Sequence, residues 1–256
     1  MPDTLDVDID IHDGAALLDT AREELDRQGW TVLPPRALGA GVRETLARFG
    51  TIVPQYNGQD TWEVKVKPGF EKVPYSQSRN GIGPHTEVPV GAPPPRYLAL
   101  HCHRQARCGQ GHTRLADGLA FCRSLAPELQ RFVSETPVTF AATLVPGTHT
   151  RQTLTVPIMS RDGERPVFRF SYNQFLYGDV NPSEDALERV SDGGGTDTPL
   201  ARLAKLAQAY FEADAVPVLI PDGHLLIWDN HRLIHARSTF TDPERHLTRY
   251  WLQTAH

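Results

Sequence analysis

Apolar and polar positions along this chain follow two periods, and the shorter one dominates. Residues 61–67 alternate Trp62, Val64 and Val66 with charged residues, which is typical of a strand with one solvent-facing side. Other short β-prone segments are bounded by Pro, Gly, Asp or Asn. They span residues 30–33, 97–103, 137–145, 154–159, 167–172, 216–220, 225–228 and 247–253.

Helical spacing is confined to a few segments. In residues 15–28, Leu17, Ala21 and Leu25 fall on one face, and Gly29 follows as a stop signal. The remaining predicted helices span residues 41–49, 119–125, 127–135, 183–190 and 199–213. Many short strands without regular alternation of strand and helix favour a mainly β fold, an antiparallel barrel or jelly roll with peripheral helices.

Length and charge narrow the class of protein. The chain has 256 residues, 26 Lys+Arg and 31 Asp+Glu, which gives a net charge of −5. The length fits one domain over residues 1–256, and the negative charge makes nucleic acid an unfavoured partner. No apolar run reaches the length of a bilayer span, and the first residues are acidic, so we expect a soluble, cytoplasmic protein. Its three cysteines are expected to be free thiols.

A glycine-rich stretch covers residues 191–198, with Gly193, Gly194 and Gly195 at its centre. No strand leads into it and no Lys-Ser/Thr pair closes it, so it does not fit a phosphate-binding loop. We predict a flexible surface loop.

The residues that carry chemistry form two groups. His85 and Glu87 are separated by one residue, and on an extended segment that spacing sends both side chains to the same side. Residues 228–237 follow a predicted strand and offer two further imidazoles, His231 and His235. Two imidazoles and one carboxylate on one side of a metal form the triad of non-haem Fe(II) oxygenases. Near the second group, Asp229 and Asn230 are interpreted as turn residues, and Arg237 as a solvated charge.

Five further Cys and His residues crowd a short stretch and suggest zinc at first sight. They are His101, Cys102, His103, Cys108 and His112. No Cys-x₂-Cys pair occurs among them, and on a strand Cys102 faces away from both neighbouring histidines. We therefore interpret them as ordinary strand residues.

Five stretches of the sequence make a more specific resemblance. In this order along the chain they are residues 83–87 (GPHTE), 95–102 (PRYLALHC), 111–118 (GHTRLADG), 229–237 (DNHRLIHAR) and 245–249 (RHLTR). The chain resembles the Fe(II)/2-oxoglutarate-dependent dioxygenases of the taurine dioxygenase superfamily, on the side of clavaminate synthase. The resemblance implies a double-stranded β-helix, a jelly roll, in agreement with the strand pattern.

The resemblance also implies roles for individual residues. His85, Glu87 and His235 match the iron ligands, and His235 is preferred over His231 because Arg245 follows it at the family's spacing. Thr113 and Arg245 match the residues that hold the far carboxylate of 2-oxoglutarate, a task suited to a guanidinium with its parallel donors.

The same resemblance indicates the substrate. Arg249 matches a residue that binds the substrate's acidic group, and its even offset from Arg245 keeps both on one strand face. Glu87 stands where most members have Asp, as in the subgroup that hydroxylates amino acids. A carboxylate ligand at this position disfavours halogenation. The expected activity is hydroxylation of a carboxylate-bearing small molecule, with Fe(II), 2-oxoglutarate and O₂, while desaturation and cyclisation stay open.

Two other classes of function fit these residues less well. A non-catalytic jelly roll of the cupin type, acting as a metal-dependent sensor or small-molecule binding protein, has no need of Arg245 and Thr113. A zinc hydrolase needs a nearby general base, and neither motif contains another carboxylate suited to that task.

Overall fold

The computed structural model describes residues 6–39, 41–56, 58–72, 74–142, 151–191 and 197–254. The strands of the two main sheets are β1 (Trp30–Leu33), β2 (Thr51–Val53), β3 (Trp62–Lys65), β4 (Ile82–His85), β5 (Tyr97–Arg104), β6 (Thr113–Asp117), β11 (Val216–Val218), β12 (Leu225–Asp229), β13 (Leu233–Arg237) and β14 (His246–Gln253). Two hairpins add β7 (Pro137–Ala141), β8 (Thr153–Pro157), β9 (Met159–Asp162) and β10 (Arg165–Phe168).

The helices lie at the N-terminal end of the chain and between the strands. They are α1 (Asp6–Gln28), a 3₁₀ turn (Pro35–Leu38), α2 (Val42–Leu46), α3 (Gly118–Ser124), α4 (Pro127–Glu135), α5 (Tyr172–Tyr177), α6 (Glu184–Ser191) and α7 (Pro199–Asp214). The helix over residues 127–135 has the predicted bounds, and the others lie close to them. The two exceptions are α1, which begins well before residue 15, and α5.

Two antiparallel sheets face each other and enclose the site. The large sheet has the order β1-β12-β5-β14-β2, with β3 also paired to β14, and the small sheet has the order β11-β6-β13-β4. Side chains from both inner faces share one buried cluster, with Leu98 and Leu247 from the large sheet and Leu115 and Leu233 from the small one. This two-sheet β architecture confirms the predicted mainly β, jelly-roll fold.

Helices cover the outer face of each sheet. Leu25 of α1 and Leu46 of α2 pack with Ile227 and Tyr250 on the outer face of the large sheet. Helices α3, α4, α5 and α7 pack over the outer face of the small sheet, where Ile234 is fully buried. The two sheets are thereby held between apolar layers, and the space between them is left for a site.

The structure differs from the sequence prediction at several strands. Residues 167–172 are not one strand, because β10 ends at Phe168 and the Ser171 side chain caps the start of α5 by accepting from the Gln174 N–H. The segment 154–159 is divided between β8 and β9. Four strands were not predicted as such, namely β2, β4, β6 and β13, and the last three carry site residues.

Some predicted features fall outside the described residues. These are residues 143–145 of the segment 137–145 and residues 192–196 of the glycine-rich stretch. The three cysteines are free, as expected. Within the described ranges, no helix has the length and apolar character needed to span a membrane.

Candidate metal centre

Three side chains converge between the sheets. Strands β4 and β13 are neighbours, and His85 lies directly opposite His235, with their ring centroids 4.1 Å apart. The Glu87 Oε2 atom lies 3.9 Å from Nε2 of His85 and 3.8 Å from Nε2 of His235. These distances are too long for hydrogen bonds. Among the described residues, this is the only group of three or more His, Cys, Asp or Glu side chains with donor atoms all within 4.8 Å of one another.

The protonation of the two imidazoles fits metal binding. Burial lowers the pKa of His85, and it holds the pKa of His235 well below its usual value, with the neighbouring His85 adding to the effect. Both rings are therefore favoured in the neutral form, which is the form that binds metals. The His85 Nδ1 atom lies 2.9 Å from the Gly83 carbonyl, so its Nε2 is left to face the centre. Two neutral imidazoles and a carboxylate are a donor set that fits Fe(II).

Glu87 is positioned by a distant part of the chain rather than by a strand. It lies beyond the end of β4, and the next residue, Val88, has a φ of 50°. A positive φ at a β-branched residue is strained, at a cost of roughly 1–3 kcal/mol. The Asn230 side chain accepts from the Glu87 N–H at 2.7 Å and donates to the Glu87 carbonyl at 3.0 Å. A further bond to the Pro95 carbonyl, also 3.0 Å, completes this clamp. Asn230, interpreted from sequence as a turn residue, therefore also fixes the backbone of Glu87.

His231, four residues before His235, does not belong to this group of three side chains. Its Nε2 atom lies 2.9 Å from the Pro94 carbonyl, and burial lowers its pKa to about 4. Its backbone N–H donates to Asp229, which also pairs with Arg96 at 2.7 Å. His231 therefore packs against the segment before β5, and His235 is the histidine that faces His85 and Glu87.

A small cavity lies beside these three side chains. Its polar lining includes Thr113, Arg237, Arg245 and Arg249, and the last three bring positive charge to the cavity.

Arg245 is a buried cation without a counter-ion among the described residues. It is 4% exposed, its guanidinium carbon lies 5.2 Å from the centre of the Phe240 ring, and it forms no ion pair or side-chain hydrogen bond with any described residue. Burial lowers its pKa to about 10. Gly111, with a φ of 81°, makes room for it, because a Cβ atom there would lie 3.1 Å from Arg245 Nε. An unpaired buried guanidinium is costly on its own and well suited to receive a carboxylate.

Arg249 lies on the inner face of β14 and contacts the third side chain of the group. Its Nη1 atom lies 2.9 Å from Glu87 Oε1, and its Nε donates to the Gln55 side chain at 2.9 Å. The Tyr56 hydroxyl donates to the same Glu87 oxygen, also at 2.9 Å. Neither Gln55 nor Tyr56 was predicted, because their loop carries no motif and Gln55 lies 194 positions from Arg249 in sequence.

Arg237 corrects the expectation of a solvated charge. It is 7% exposed, and its terminal nitrogens donate to the backbone carbonyls of Tyr75, Ser76, Ser78 and Asn80. These bonds fix the segment 75–80 at the cavity, where Ser76 forms part of the lining. The side chain is buried because this irregular segment supplies carbonyl groups that no sheet partner satisfies.

The cysteine and histidine residues of β5 show the alternation expected of a strand. Cys102 is fully buried on the inner face of β5, while the rings of His101 and His103 contact each other on the outer face at 4.7 Å. Within the described ranges, these residues do not form a group with metal-binding geometry.

Comparisons with known proteins agree with this geometry. The family model described as "Taurine catabolism dioxygenase TauD, TfdA family" matches residues 3–251. No curated protein is similar enough in sequence to match the chain.

Solved structures resemble this chain at low sequence identity. An asparagine oxygenase, in complex with Fe(II), 2S,3S-3-hydroxyasparagine and succinate, has a TM-score of 0.68 and 20% identity, over 93% of this chain and 78% of its own. The non-haem iron oxygenase OrfP with Fe and α-ketoglutaric acid has a TM-score of 0.64 and 18% identity, over 94% and 80%. OrfP with Fe, succinate and (3S)-hydroxy-L-Arg has a TM-score of 0.63 and 19% identity, also over 94% and 80%. At these identities the likeness shows a common fold.

Proposed function

Because this chain belongs to the TauD, TfdA family of dioxygenases, we propose that it is an Fe(II)- and 2-oxoglutarate-dependent oxygenase that hydroxylates a carbon atom of a carboxylate-bearing small molecule, with an amino acid as the leading candidate. The active unit is one domain over residues 1–256. The family match over nearly the whole chain and the cluster shared by both sheets support this assignment.

The observation that carries the proposal is the position of three metal-binding side chains beside an unpaired arginine. His85, Glu87 and His235 present their donor atoms to one point, and Arg245 lines the same cavity. When bound there, ferrous iron with 2-oxoglutarate supplies the activation of O₂ and the oxidation of a substrate C–H bond. The protein supplies the binding, orientation and shielding.

Arg245 and Thr113 are assigned to the co-substrate. A carboxylate entering the cavity replaces the missing counter-ion of Arg245 and accepts two parallel N–H bonds from it. The Thr113 hydroxyl, which is buried at the start of β6 and lines the same cavity, adds a donor. Together they orient the keto acid with its other end toward His85, Glu87 and His235.

Arg249 is assigned to the carboxylate of the substrate. Its contacts with Glu87 and Gln55 use two of its nitrogens, and a guanidinium carries five N–H donors. The relatives with the same fold support an amino acid, since their structures contain hydroxylated asparagine and hydroxylated arginine.

The apolar wall of the cavity determines where the oxidation takes place. Val64, Leu98, Leu100 and Trp228 line it and exclude water from the reacting centre. A substrate anchored at Arg249 presents one region of its carbon chain to the metal, so positioning selects the C–H bond. Desaturation and cyclisation use the same residues and are separated from hydroxylation by the mass of the product.

Arg245, which has no counter-ion among the described residues, also argues against a non-catalytic cupin-type sensor. A protein that only held a metal ion gains nothing from an unpaired buried cation in the same cavity.

The proposal is tested with the purified protein. Under anaerobic conditions, Fe(II) and 2-oxoglutarate are expected to give a weak visible charge-transfer band, and admission of air is expected to yield succinate. A panel of amino acids that includes asparagine and arginine is then examined by mass spectrometry for the gain of one oxygen atom. Absence of the band together with absence of succinate would contradict the proposal.

A further inference from the structure

The two oxygens of the Glu87 carboxylate face different surroundings. Oε2 points toward the two histidines and forms no hydrogen bond with described residues, whereas Oε1 is held by Arg249 and by the Tyr56 hydroxyl, each at 2.9 Å. A carboxylate with one oxygen occupied in this way is restrained from turning both oxygens toward the same ion. The hydrogen bonds to Oε1 therefore reserve a single oxygen for the metal.

The position of the Tyr56 hydroxyl is fixed although the residue as a whole is 47% exposed. The ring meets Trp251 edge-on at 4.7 Å and Trp62 at 6.4 Å. The preceding residue, Gln55, anchors the loop to β14 by donating to the Arg249 carbonyl at 2.8 Å. A phenylalanine would make the same ring contacts, so the hydroxyl group is not needed for packing.

If Arg249 also binds the substrate, its guanidinium contacts two carboxylates, that of Glu87 and that of the substrate. When part of its guanidinium turns to a substrate carboxylate, its hold on Glu87 Oε1 weakens. Tyr56 is the other described donor to that oxygen, and its hydroxyl is neutral, so it does not compete for the substrate.

We propose that Tyr56 is a positioning residue, whose hydroxyl keeps Glu87 as a one-oxygen metal ligand and so leaves coordination positions open for the keto acid and O₂. This inference rests on the proposed function. It extends that function to a residue outside the five matched stretches, and it concerns the arrangement of a ligand rather than the chemistry of the metal.

The test compares Tyr56→Phe with wild type and with Tyr250→Phe, which removes a hydroxyl from the opposite face of β14. Each apo protein is titrated anaerobically with Co²⁺, and its visible absorption is recorded. We expect Tyr56→Phe to bind Co²⁺ about 10–100-fold more weakly, as is usual when the partner of a metal ligand is lost. We also expect weaker absorption, because a two-oxygen Glu87 raises the coordination number. Thermal unfolding of the apo proteins should be nearly unchanged, since the exposed ring keeps its contacts.

The control variant Tyr250→Phe is expected to match wild type in affinity and spectrum. Equal Co²⁺ affinity and an identical spectrum for Tyr56→Phe would overturn the role of Tyr56 while leaving the proposed function intact. Failure of wild type itself to bind Co²⁺ or Fe²⁺ would overturn both. A loss of affinity without a change in spectrum would overturn the assignment of Glu87 as a ligand restrained to one oxygen.

Discussion

Two clusters of histidine and glutamate occur in this protein, and only one has the geometry of a metal centre among the described residues. The inner triad (His85, Glu87 and His235) lies between the sheets, and its donor atoms converge. The outer cluster (Glu63, His101, His103 and His246) lies on the solvent-facing side of the large sheet. Composition is nearly the same in both places, so composition does not explain the difference.

Hydrogen bonding and burial separate the two clusters. In the outer cluster, the His246 ring bonds to Glu63, and the His103 Nε2 atom lies 2.7 Å from the Thr248 hydroxyl, which donates in turn to Glu63. The Glu63 side chain is 43% exposed, whereas that of Glu87 is 5% exposed. The outer donors are already satisfied by one another and by solvent. The inner Nε2 and Oε2 atoms face each other unbonded beside a cavity, and that arrangement makes a binding site.

The largest expected difference concerns removal of the carboxylate from each cluster. Glu87→Ala deletes one of three ligands and should weaken Fe²⁺ or Co²⁺ binding by more than the roughly 100-fold typical of lost ligand partners. Glu63→Ala should leave metal affinity unchanged. Isothermal titration calorimetry under anaerobic conditions measures both, and succinate production should fall only in Glu87→Ala. Full succinate production by Glu87→Ala would show that the inner triad is misassigned.

The second prediction concerns the way in which each glutamate is held in place. Glu63 belongs to β3, where pairing with β14 fixes it, whereas Glu87 depends on Asn230. Asn230→Ala removes three buried hydrogen bonds of about 1 kcal/mol each, so the free energy of unfolding should fall by roughly 3 kcal/mol. Metal affinity should fall about 10–100-fold. Chemical denaturation of the apo protein and metal titration check the two effects.

Thr198→Ala provides a matched control for this loss of stability. The Thr198 hydroxyl caps α7 by accepting from the Ala201 N–H, and its loss should cost about 1 kcal/mol without an effect on metal binding. If the two variants had the same metal affinity, Asn230 would stabilise the fold alone.

The position of Glu87 also shows which kind of contact cannot be predicted from the sequence. The strand pattern predicted a mainly β fold, an antiparallel barrel or jelly roll, and the short-range motif of His85 and Glu87 predicted that both face one side. A contact between residues 143 positions apart, such as that of Asn230 with Glu87, leaves no periodic signal. The same reason hides Gln55 and Tyr56, whose role depends on the loop meeting β14. The sequence predicts that Asn230 is a turn residue, and only the packed structure shows that its side chain reaches Glu87.

The prediction that Arg237 is a solvated charge was wrong for a related reason. A charged residue near a strand end is usually solvated, and local pattern contains no information about the carbonyl groups that bury it. Arg245, which immediately precedes β14, and Arg249, on the inner face of that strand, both line the cavity, and the even spacing between them is a local property of the sequence.

The third prediction compares an arginine of the cavity with one near the outer cluster. Arg245→Ala should weaken 2-oxoglutarate binding by about 1.5–3 kcal/mol, the worth of a charged bidentate contact, with iron affinity largely kept. The control Arg104→Ala removes a guanidinium that is 44% exposed and pairs with Asp242 at 3.6 Å. Quenching or calorimetric titration with 2-oxoglutarate measures the effect. An unchanged affinity in Arg245→Ala would undo its assignment to the co-substrate.

The smallest expected effect concerns pH and belongs to the outer cluster. Burial lowers the pKa of His103, and the neighbouring His246 adds to this, while Glu63 opposes it. The unfolded chain, with an ordinary histidine pKa near 6.5, therefore takes up more protons than the folded protein as the pH falls. The stability associated with His103 is complete above about pH 6.5 and is lost below it. Since His103 is only partly shielded from solvent, we expect only a few tenths of a kcal/mol.

His103→Gln should accordingly reduce the fall in unfolding free energy between about pH 7 and pH 5, when both apo proteins are measured by urea denaturation. Burial lowers the pKa of His85 and His235 as well, but their contribution cancels because it is common to both proteins. The charged neighbours Glu63, Lys65 and His246 stay in place in the variant. His224→Gln, which changes an imidazole bonded to the Asp222 carbonyl outside the cluster, is the control. A larger pH dependence of the unfolding free energy in His103→Gln would contradict this prediction, because it would mean that the outer histidines attract protons on folding. The two clusters would then differ in the sign of their effect on stability at low pH as well as in geometry.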